Sequence, residues 1–269
     1  MIYDDLLKAH LKYGTSTDQV SKHKLNCDTS LIRKNVILAP TMTCNFLTEF
    51  GAEITPIFSK YHSISNVKLG DLEFTFITTG IGAPNVVDIV LALGSTNCEN
   101  IIFIGSVGSL DKDINIGDIV LPISSICGDG VCRYLTGKPL ANSDTFGVEF
   151  SPNKDLFDLS LQVSRRICYD ENIPIHTVKN YSIDTIFAQF AHIDEIKDLG
   201  ARVIEMETAS LFRASQICNI SACAIFCVSD NTVNNKSLYS GRTEDDKKKK
   251  GVGRYIVTPK ILIELLNNL

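Results

Sequence analysis

No stretch of this 269-residue chain holds the roughly 18 consecutive apolar residues that a membrane-spanning helix requires. The opening residues, Met1-Ile2-Tyr3-Asp4-Asp5-Leu6-Leu7, carry acids where a secretory leader carries bases, and no long apolar run follows them. A cytoplasmic protein without a membrane partner is therefore expected. Positive charge is also short. Lys and Arg number 26 against 31 Asp and Glu, a formal net charge of −5, which argues against a nucleic-acid partner gripped by the whole domain. The nine cysteines are odd in number and contain no C-x-x-C pair. Most lie in apolar stretches such as Ser221-Ala222-Cys223-Ala224-Ile225-Phe226-Cys227, which suits buried, reduced thiols acting as small hydrophobes. No metal ion is expected. There is no internal repeat and no Pro/Ser-rich linker.

What is present suits a globular enzyme. Hydrophobic residues make up 44% and charged residues 21%. The length fits one large α/β domain or two small ones. Residues 1–22 read as a helical extension: Leu6, Leu7 and Leu11 recur at helical spacing, and Gly14-Thr15-Ser16-Thr17 stops the run. A single domain is expected over 23–269. Apolar, β-branched segments predict strands over 35–39, 72–79, 100–104, 118–123, 175–178, 202–204 and 222–228. Between them, 84–93 predicts a largely buried helix, and 153–169 and 207–218 predict amphipathic ones. A last helix is expected over 259–266, with Pro259 early enough that its missing N–H costs nothing. Strands alternating with helices predict an α/β fold, a largely parallel sheet with helices on both faces. The run Thr243-Glu244-Asp245-Asp246-Lys247-Lys248-Lys249-Lys250 reads as a solvated loop or helix end, or as part of a mobile lid.

Four segments could carry chemistry. Thr78-Thr79-Gly80-Ile81-Gly82-Ala83-Pro84-Asn85 follows a strand and opens a helix, so its glycines and free N–H groups could meet an anion or a sugar hydroxyl. It lacks the third glycine of a dinucleotide fingerprint, and a plain strand-to-helix turn fits equally. Ile101-Ile102-Phe103-Ile104-Gly105-Ser106-Val107-Gly108-Ser109 brings a buried strand to a small-residue turn where Ser106 could bond an oxyanion. A tight turn with a solvated serine fits as well. Val203-Ile204-Glu205-Met206-Glu207-Thr208-Ala209 sets two carboxylates where a strand ends and a helix begins. The helix dipole favours an acid there, and a carboxylate can accept from two vicinal hydroxyls, the natural grip on a ribose. A helix cap beside an exposed acid is the plainer reading. Ala224-Ile225-Phe226-Cys227-Val228-Ser229-Asp230-Asn231 ends an apolar strand in Ser-Asp. Strand C-termini are where open α/β sheets bind ligands, and a partly desolvated aspartate there suits a general acid. A turn or cap aspartate fits the same pattern.

In this order, the four segments resemble the nucleoside phosphorylase family, which includes hexameric purine nucleoside phosphorylases, uridine phosphorylases and methylthioadenosine nucleosidases. The similarity runs from about His23 to the C-terminus. It implies a three-layer α/β/α fold around a mixed, partly barrel-like sheet. It also implies sites at the contacts of a homodimer or of a hexamer built as a trimer of dimers. It implies cleavage of a nucleoside's N-glycosidic bond without a cofactor, inorganic phosphate being a co-substrate where the reaction is phosphorolysis. By resemblance, Glu207 holds the ribose 2′- and 3′-hydroxyls, Met206 packs under the sugar, and Glu205 is the first acid of the same motif. Gly105 and Ser106 belong to the acceptor site, and Gly82 to the loop lining ribose and base. His23, 17 residues before Pro40, matches a histidine that reaches into a neighbouring subunit's site. Asp230, beside Ser229, matches the acid that protonates a purine at N7. The base-stacking segment falls on Ser182-Ile183-Asp184-Thr185-Ile186-Phe187, with Ile186 at the usual aromatic position and Phe187 one place later.

Two arginines of the family's phosphate site are replaced. Phe103 stands at one position and Asn45 at the other, and Thr41 replaces a loop glycine. Lys60 is a candidate for a third cation, given by the neighbouring subunit. Thr41, Thr43, Ser106 and backbone N–H groups would hold phosphate only weakly, because a charge-assisted hydrogen bond contributes about 1.5–3 kcal/mol that these neutral donors lack. The glutamate with which nucleosidases activate water is missing too: no acid lies between Pro40 and Phe46, and Glu49 is further on. Phosphorolysis, hydrolysis and non-catalytic nucleoside binding remain as three readings.

Overall fold

Segments 36–39, 101–104 and 222–228 lie buried side by side in the computed structural model, which describes residues 2–59 and 62–269. Along the chain come helices α1 (Tyr3–Lys12) and α2 (Thr17–Leu25), then strands β1 (Asn35–Ala39), β2 (Glu53–Ser59), β3 (Ser63–Leu69) and β4 (Leu72–Thr78). Helix α3 (Ala83–Leu93) leads to β5 (Asn100–Ser109), β6 (Ile119–Gly128) and the short β7 (Glu149–Phe150). Then follow α4 (Lys154–Asp170), β8 (Ile175–Ile183), α5 (Ile193–Asp198), β9 (Val203–Glu205), α6 (Thr208–Cys218) and β10 (Ser221–Asn231). Helix α7 (Glu244–Val252) passes through a π turn, Gly253–Val257, into α8 (Thr258–Leu266).

The strands form one sheet in the order β10-β6-β8-β9-β5-β1-β4-β3-β2, with β7 beside β6. Because β10 also pairs with β5, the strands β10, β6, β8, β9 and β5 close on themselves as a barrel, and the remainder extends from β5 as an open wing. Pairing is mixed: β1–β4, β1–β5, β5–β10, β6–β8 and β8–β9 are parallel, whereas β10–β6, β5–β9, β2–β3 and β3–β4 are antiparallel. The mixed, partly barrel-like sheet implied by the resemblance is present.

Strand alternation divides the core between two layers. Val36, Leu38, Ile101 and Phe103 join a cluster with Val86, Val90, Leu211 and Phe212 of α3 and α6. Ile37, Ile102, Ile104 and Ile225 join another with Leu156, Val163, Ile261 and Leu265 of α4 and α8. None of the nine cysteines is exposed, as expected of small hydrophobes.

Three differences from the sequence reading have physical causes. The extension is two helices, and the second runs on through Leu25, so that His23 is helical. Ser16 and Gln19 start it with a reciprocal capping box, and Tyr3 docks the first helix on α3 by donating to the Leu91 carbonyl at 2.8 Å. Strands β2 and β3 went unread. Pro56 sits in β2, which pairs only with β3 and so tolerates a residue without an N–H at the sheet edge. Strands β5, β6, β8 and β10 run several residues past their apolar segments, into small and polar residues such as Gly105, Ser106, Asn180 and Asp230.

Phe103 is fully buried and meets Phe226 edge-on at 5.9 Å. Phe103→Ala should therefore lower unfolding free energy by about 3–5 kcal/mol, the usual cost of emptying a phenylalanine site in a core. Urea denaturation measures this; a loss within about 1 kcal/mol would mean that the site is not closely packed.

Candidate active site

Strand β9 ends at Glu205, and α6 starts three residues later, so the helix's first N–H groups need acceptors. Glu205 provides them. One carboxylate oxygen accepts from the backbone N–H of Glu207 at 2.8 Å and of Thr208 at 2.9 Å. The other accepts from Asn180 Nδ2 and Ser182 Oγ, both at 2.6 Å, on neighbouring β8. Burial pushes this carboxyl above the ordinary range, against the pull of its donors.

Glu207 is the N-cap of α6, yet its side chain caps nothing. One oxygen accepts from the Gly82 N–H at 2.6 Å and the other from the Met206 N–H at 3.3 Å. Gly82 has φ of +100°, a left-handed conformation that favours glycine, and it aims this N–H at the acid from the N-terminus of α3. Burial first, and the charge of Glu205 second, raise the Glu207 carboxyl to about 8.

Asp230 follows a register shift in the β5–β10 pairing after Val228. It is only 2% exposed and accepts from its neighbour Ser229 Oγ at 2.6 Å. A Cβ on Gly108 would come within 3.0 Å of Asp230 Oδ2, so the glycine leaves the carboxyl room. Burial raises the Asp230 pKa, opposed by the Ser229 hydrogen bond and by the charges of Arg242 and Lys250.

These groups meet in one cavity of about 260 Å³. Glu205, Met206, Glu207, Ser229, Asp230, Gly105, Ser106, Thr41 and Ile186 all line it. Gly82 stands behind Glu207 as its donor. Thr43 and Phe187 lie off this cavity, as does His23, which was expected to serve a neighbouring subunit's site. Thr43 is exposed at the start of the 3-10 turn Cys44–Phe50. Phe187 is 89% exposed, because the chain past β8 turns it outward while half-buried Ile186 faces the cavity. His23 lies on the exposed side of α2, apart from this chain's cavity. Lys60 falls outside the described residues.

The sequence reading missed Lys250 and Arg254, which line the cavity from α7 and the π turn. Lys247, Lys248 and Lys249 are exposed as expected of a charge run, but Lys250 is half-buried. Burial lowers its ammonium pKa, and the nearby Arg254 and Arg242 lower it further. Arg254 donates to Thr41 Oγ1 at 3.1 Å. The available signal was the four-residue spacing, which puts two cations on one face of a helix. Leu238, Gln189, Ile81 and Ile183 complete the lining.

The phosphorylase superfamily pattern matches residues 45–251. The purine nucleoside phosphorylase DeoD-type of Geobacillus stearothermophilus is 23% identical over 154 residues, 57% of this chain; the match spans only 61% of that relative's length. The purine nucleoside phosphorylase of Toxoplasma gondii, solved with immucillin-H, superposes with a TM-score of 0.72 at 16% identity, over 91% of this chain and 96% of that one. The Campylobacter jejuni 5′-methylthioadenosine/S-adenosyl homocysteine nucleosidase superposes with a TM-score of 0.69 at 18% identity, over 88% and 99%. The two superpositions establish the fold, which encompasses phosphorylases and nucleosidases alike. With the family pattern spanning most of its length, the chain belongs to the phosphorylase superfamily.

Proposed function

We propose that this protein cleaves the N-glycosidic bond of a purine nucleoside, with phosphate as acceptor. The observation that carries this reading is the placement of Asp230 and Glu207 on one cavity, each buried and each with its pKa raised. Glu207 accepts from the ribose hydroxyls and fixes the sugar over Met206. Asp230 gives its proton to the purine ring as the bond to the anomeric carbon breaks and the bonding electrons pass into the base. The sugar gains positive character, and an acceptor oxygen adds to the anomeric carbon from the side of Ser106. Burial keeps a proton on Asp230 at higher pH than an exposed aspartate would hold one, as a general acid needs. Sites formed between subunits of a homo-oligomer are part of the same reading, since His23 is remote from its own chain's cavity.

Hydrolysis is the second reading, favoured by Phe103 and Asn45 where arginines are expected. Against it, the 40–46 loop offers no acid, and Glu49 is exposed and does not line the cavity.

Base release from purine nucleosides, followed with and without phosphate, tests the proposal. Release that requires phosphate is expected; release regardless of phosphate indicates hydrolysis, and binding without release indicates a non-catalytic protein. Asp230→Asn should lower turnover by about 10²–10⁴ while leaving thermal unfolding near wild type, the range a general acid contributes. Wild-type turnover in that variant would remove Asp230 from the mechanism.

Nucleoside affinity should depend on pH through Glu207. A carboxylate accepts from two hydroxyls, whereas the protonated acid does not, so binding is linked to loss of the Glu207 proton. With a free-site value of about 8, affinity should rise with pH up to that value, by at most about tenfold per unit, and then level off. Calorimetric titration of Asp230→Asn removes the Asp230 contribution, and comparison with Asp230→Asn/Glu207→Gln separates Glu207 from Glu205. A flat profile, or an unchanged one in Asp230→Asn/Glu207→Gln, would contradict the linkage.

A further inference from the structure

We propose that Lys250 and Arg254 form a phosphate-binding cradle on the Ser106 side of the cavity, taking over the role of the arginines that Phe103 and Asn45 replace. The inference rests on the proposed function and deepens it by naming the groups that hold the acceptor.

Four independent features converge on it. First, both cations lack a carboxylate partner among the described residues, unlike nearby Lys236, which pairs with Asp246, and Lys247, which pairs with Glu244. Arg242 is committed to the backbone carbonyls of Leu238 and Ser229. Asp230 acts on Lys250 only from beyond ion-pair distance, and burial favours the neutral form of that acid, so an anion entering the cavity would meet two cations without a bound counter-ion.

Second, the cavity wall holds orphaned polar atoms. Arg254 Nε and Ser106 Oγ are both buried without a hydrogen-bond partner among the described residues. A buried donor without an acceptor is unfavourable, and both atoms belong to residues that line the cavity in which the acceptor anion is proposed to sit. Arg254 already reaches the loop after β1 through Thr41, so three donor groups from separate elements face the same space.

Third, the backbone is shaped to bring the helix there. The π turn Gly253–Val257 interrupts the helical ladder at Arg254, and such turns recur at functional sites. Gly253 permits the approach: a Cβ there would lie 2.5 Å from the Gly117 carbonyl oxygen and 2.7 Å from Cys227 Sγ. The close contact with β10 sets Lys250 and Arg254 over the strand end that carries Ser229 and Asp230.

Fourth, the positions that resemblance assigns to arginine are unusable. Phe103 is sealed in the core against Phe226, and Asn45 lies exposed on its 3-10 turn. Cationic charge reaches the cavity from the C-terminal helices instead. Phosphate needs charge and donors at one point in space, and it is indifferent to which element supplies them.

Inorganic phosphate titrated calorimetrically into the full-length protein, without nucleoside, tests the cradle apart from catalysis. Wild type should bind phosphate, more weakly as ionic strength rises. Lys250→Gln and Arg254→Met should each weaken binding by about 10- to 100-fold, the loss expected for one charge-assisted contact. Arg254→Lys should retain part of the affinity, a rescue that a purely structural role would not give, and unfolding curves of all variants should overlay. Phosphate affinity unchanged in both neutral variants overturns the site. A nucleoside 5′-monophosphate that binds through Lys250 and Arg254 while inorganic phosphate does not bind would overturn the assignment to the acceptor. Phosphate binding that depends on the pair supports the cradle even if no purine nucleoside is cleaved, and in that case the proposed function fails alone.

Discussion

The buried carboxyl of Glu205 ties β8, β9 and α6 together, and the geometry of the cavity follows from that knot. Its two oxygens accept from the Asn180 amide, the Ser182 hydroxyl and the first N–H groups of α6. Asn180 and Ser182 keep other partners, but removing the acceptor would strand the buried N–H groups of Glu207 and Thr208, at a cost of about 1–3 kcal/mol each. The same carboxyl fixes the direction in which α6 leaves the sheet, and hence where Glu207 stands. It also acts on Glu207 through space, since one buried acid raises the pKa of its neighbour. Glu205 thus fixes the position of the proposed sugar-binding acid and adds to the burial that chiefly keeps it protonated. The two acids of the Glu-Met-Glu segment divide the work by environment: one is saturated by the protein, and the other is held by two backbone N–H groups and faces the cavity.

How much of this was legible follows the same division. The buried halves of the strands were readable because continuous Val, Ile, Leu and Phe leave few alternatives. Their polar ends were not. Gly105, Ser106, Asn180 and Ser182 look like loop residues, yet they continue strands because the barrel interior and the cavity need small and hydrogen-bonding groups there. Glu207, Asp230 and Ser106, which the structure brings to one cavity, each sit in a short segment whose neighbours mark it. Ile186 and Phe187 show the limit: adjacent residues point oppositely, and the aromatic one faces solvent. Thr43 lies off the cavity, exposed at the start of the 3-10 turn Cys44–Phe50.

Lys250 and Arg254 carried one signal, their four-residue spacing, and it was too weak to read alone. Lys250 ends a run of four lysines in which nothing local distinguishes the one that is half-buried. The distinction comes from Gly253, which lets the helix approach Gly117 and Cys227, and from a π turn that no periodicity announces. Composition could say only that the run was charged. The fold decides that three lysines meet water and the fourth meets a cavity.

The proposed cradle has a consequence for the acid beside it. The Ser229 hydrogen bond, then Arg242 and Lys250, favour the charged form of Asp230, opposing the burial that favours the neutral one. In the empty cavity these influences compete, and the acid is less ready to donate than burial alone would make it. A phosphate anion seated against Lys250 and Arg254 would offset the positive field and place negative charge near Asp230. Both changes raise its pKa, because like charge disfavours the carboxylate and a neutralised cation no longer favours it. The acceptor would thereby promote protonation of the group that activates the leaving base. Acceptor site and acid would then be two ends of one electrostatic arrangement, with Lys250 both holding the incoming oxygen and, once neutralised, no longer favouring the charged form of Asp230.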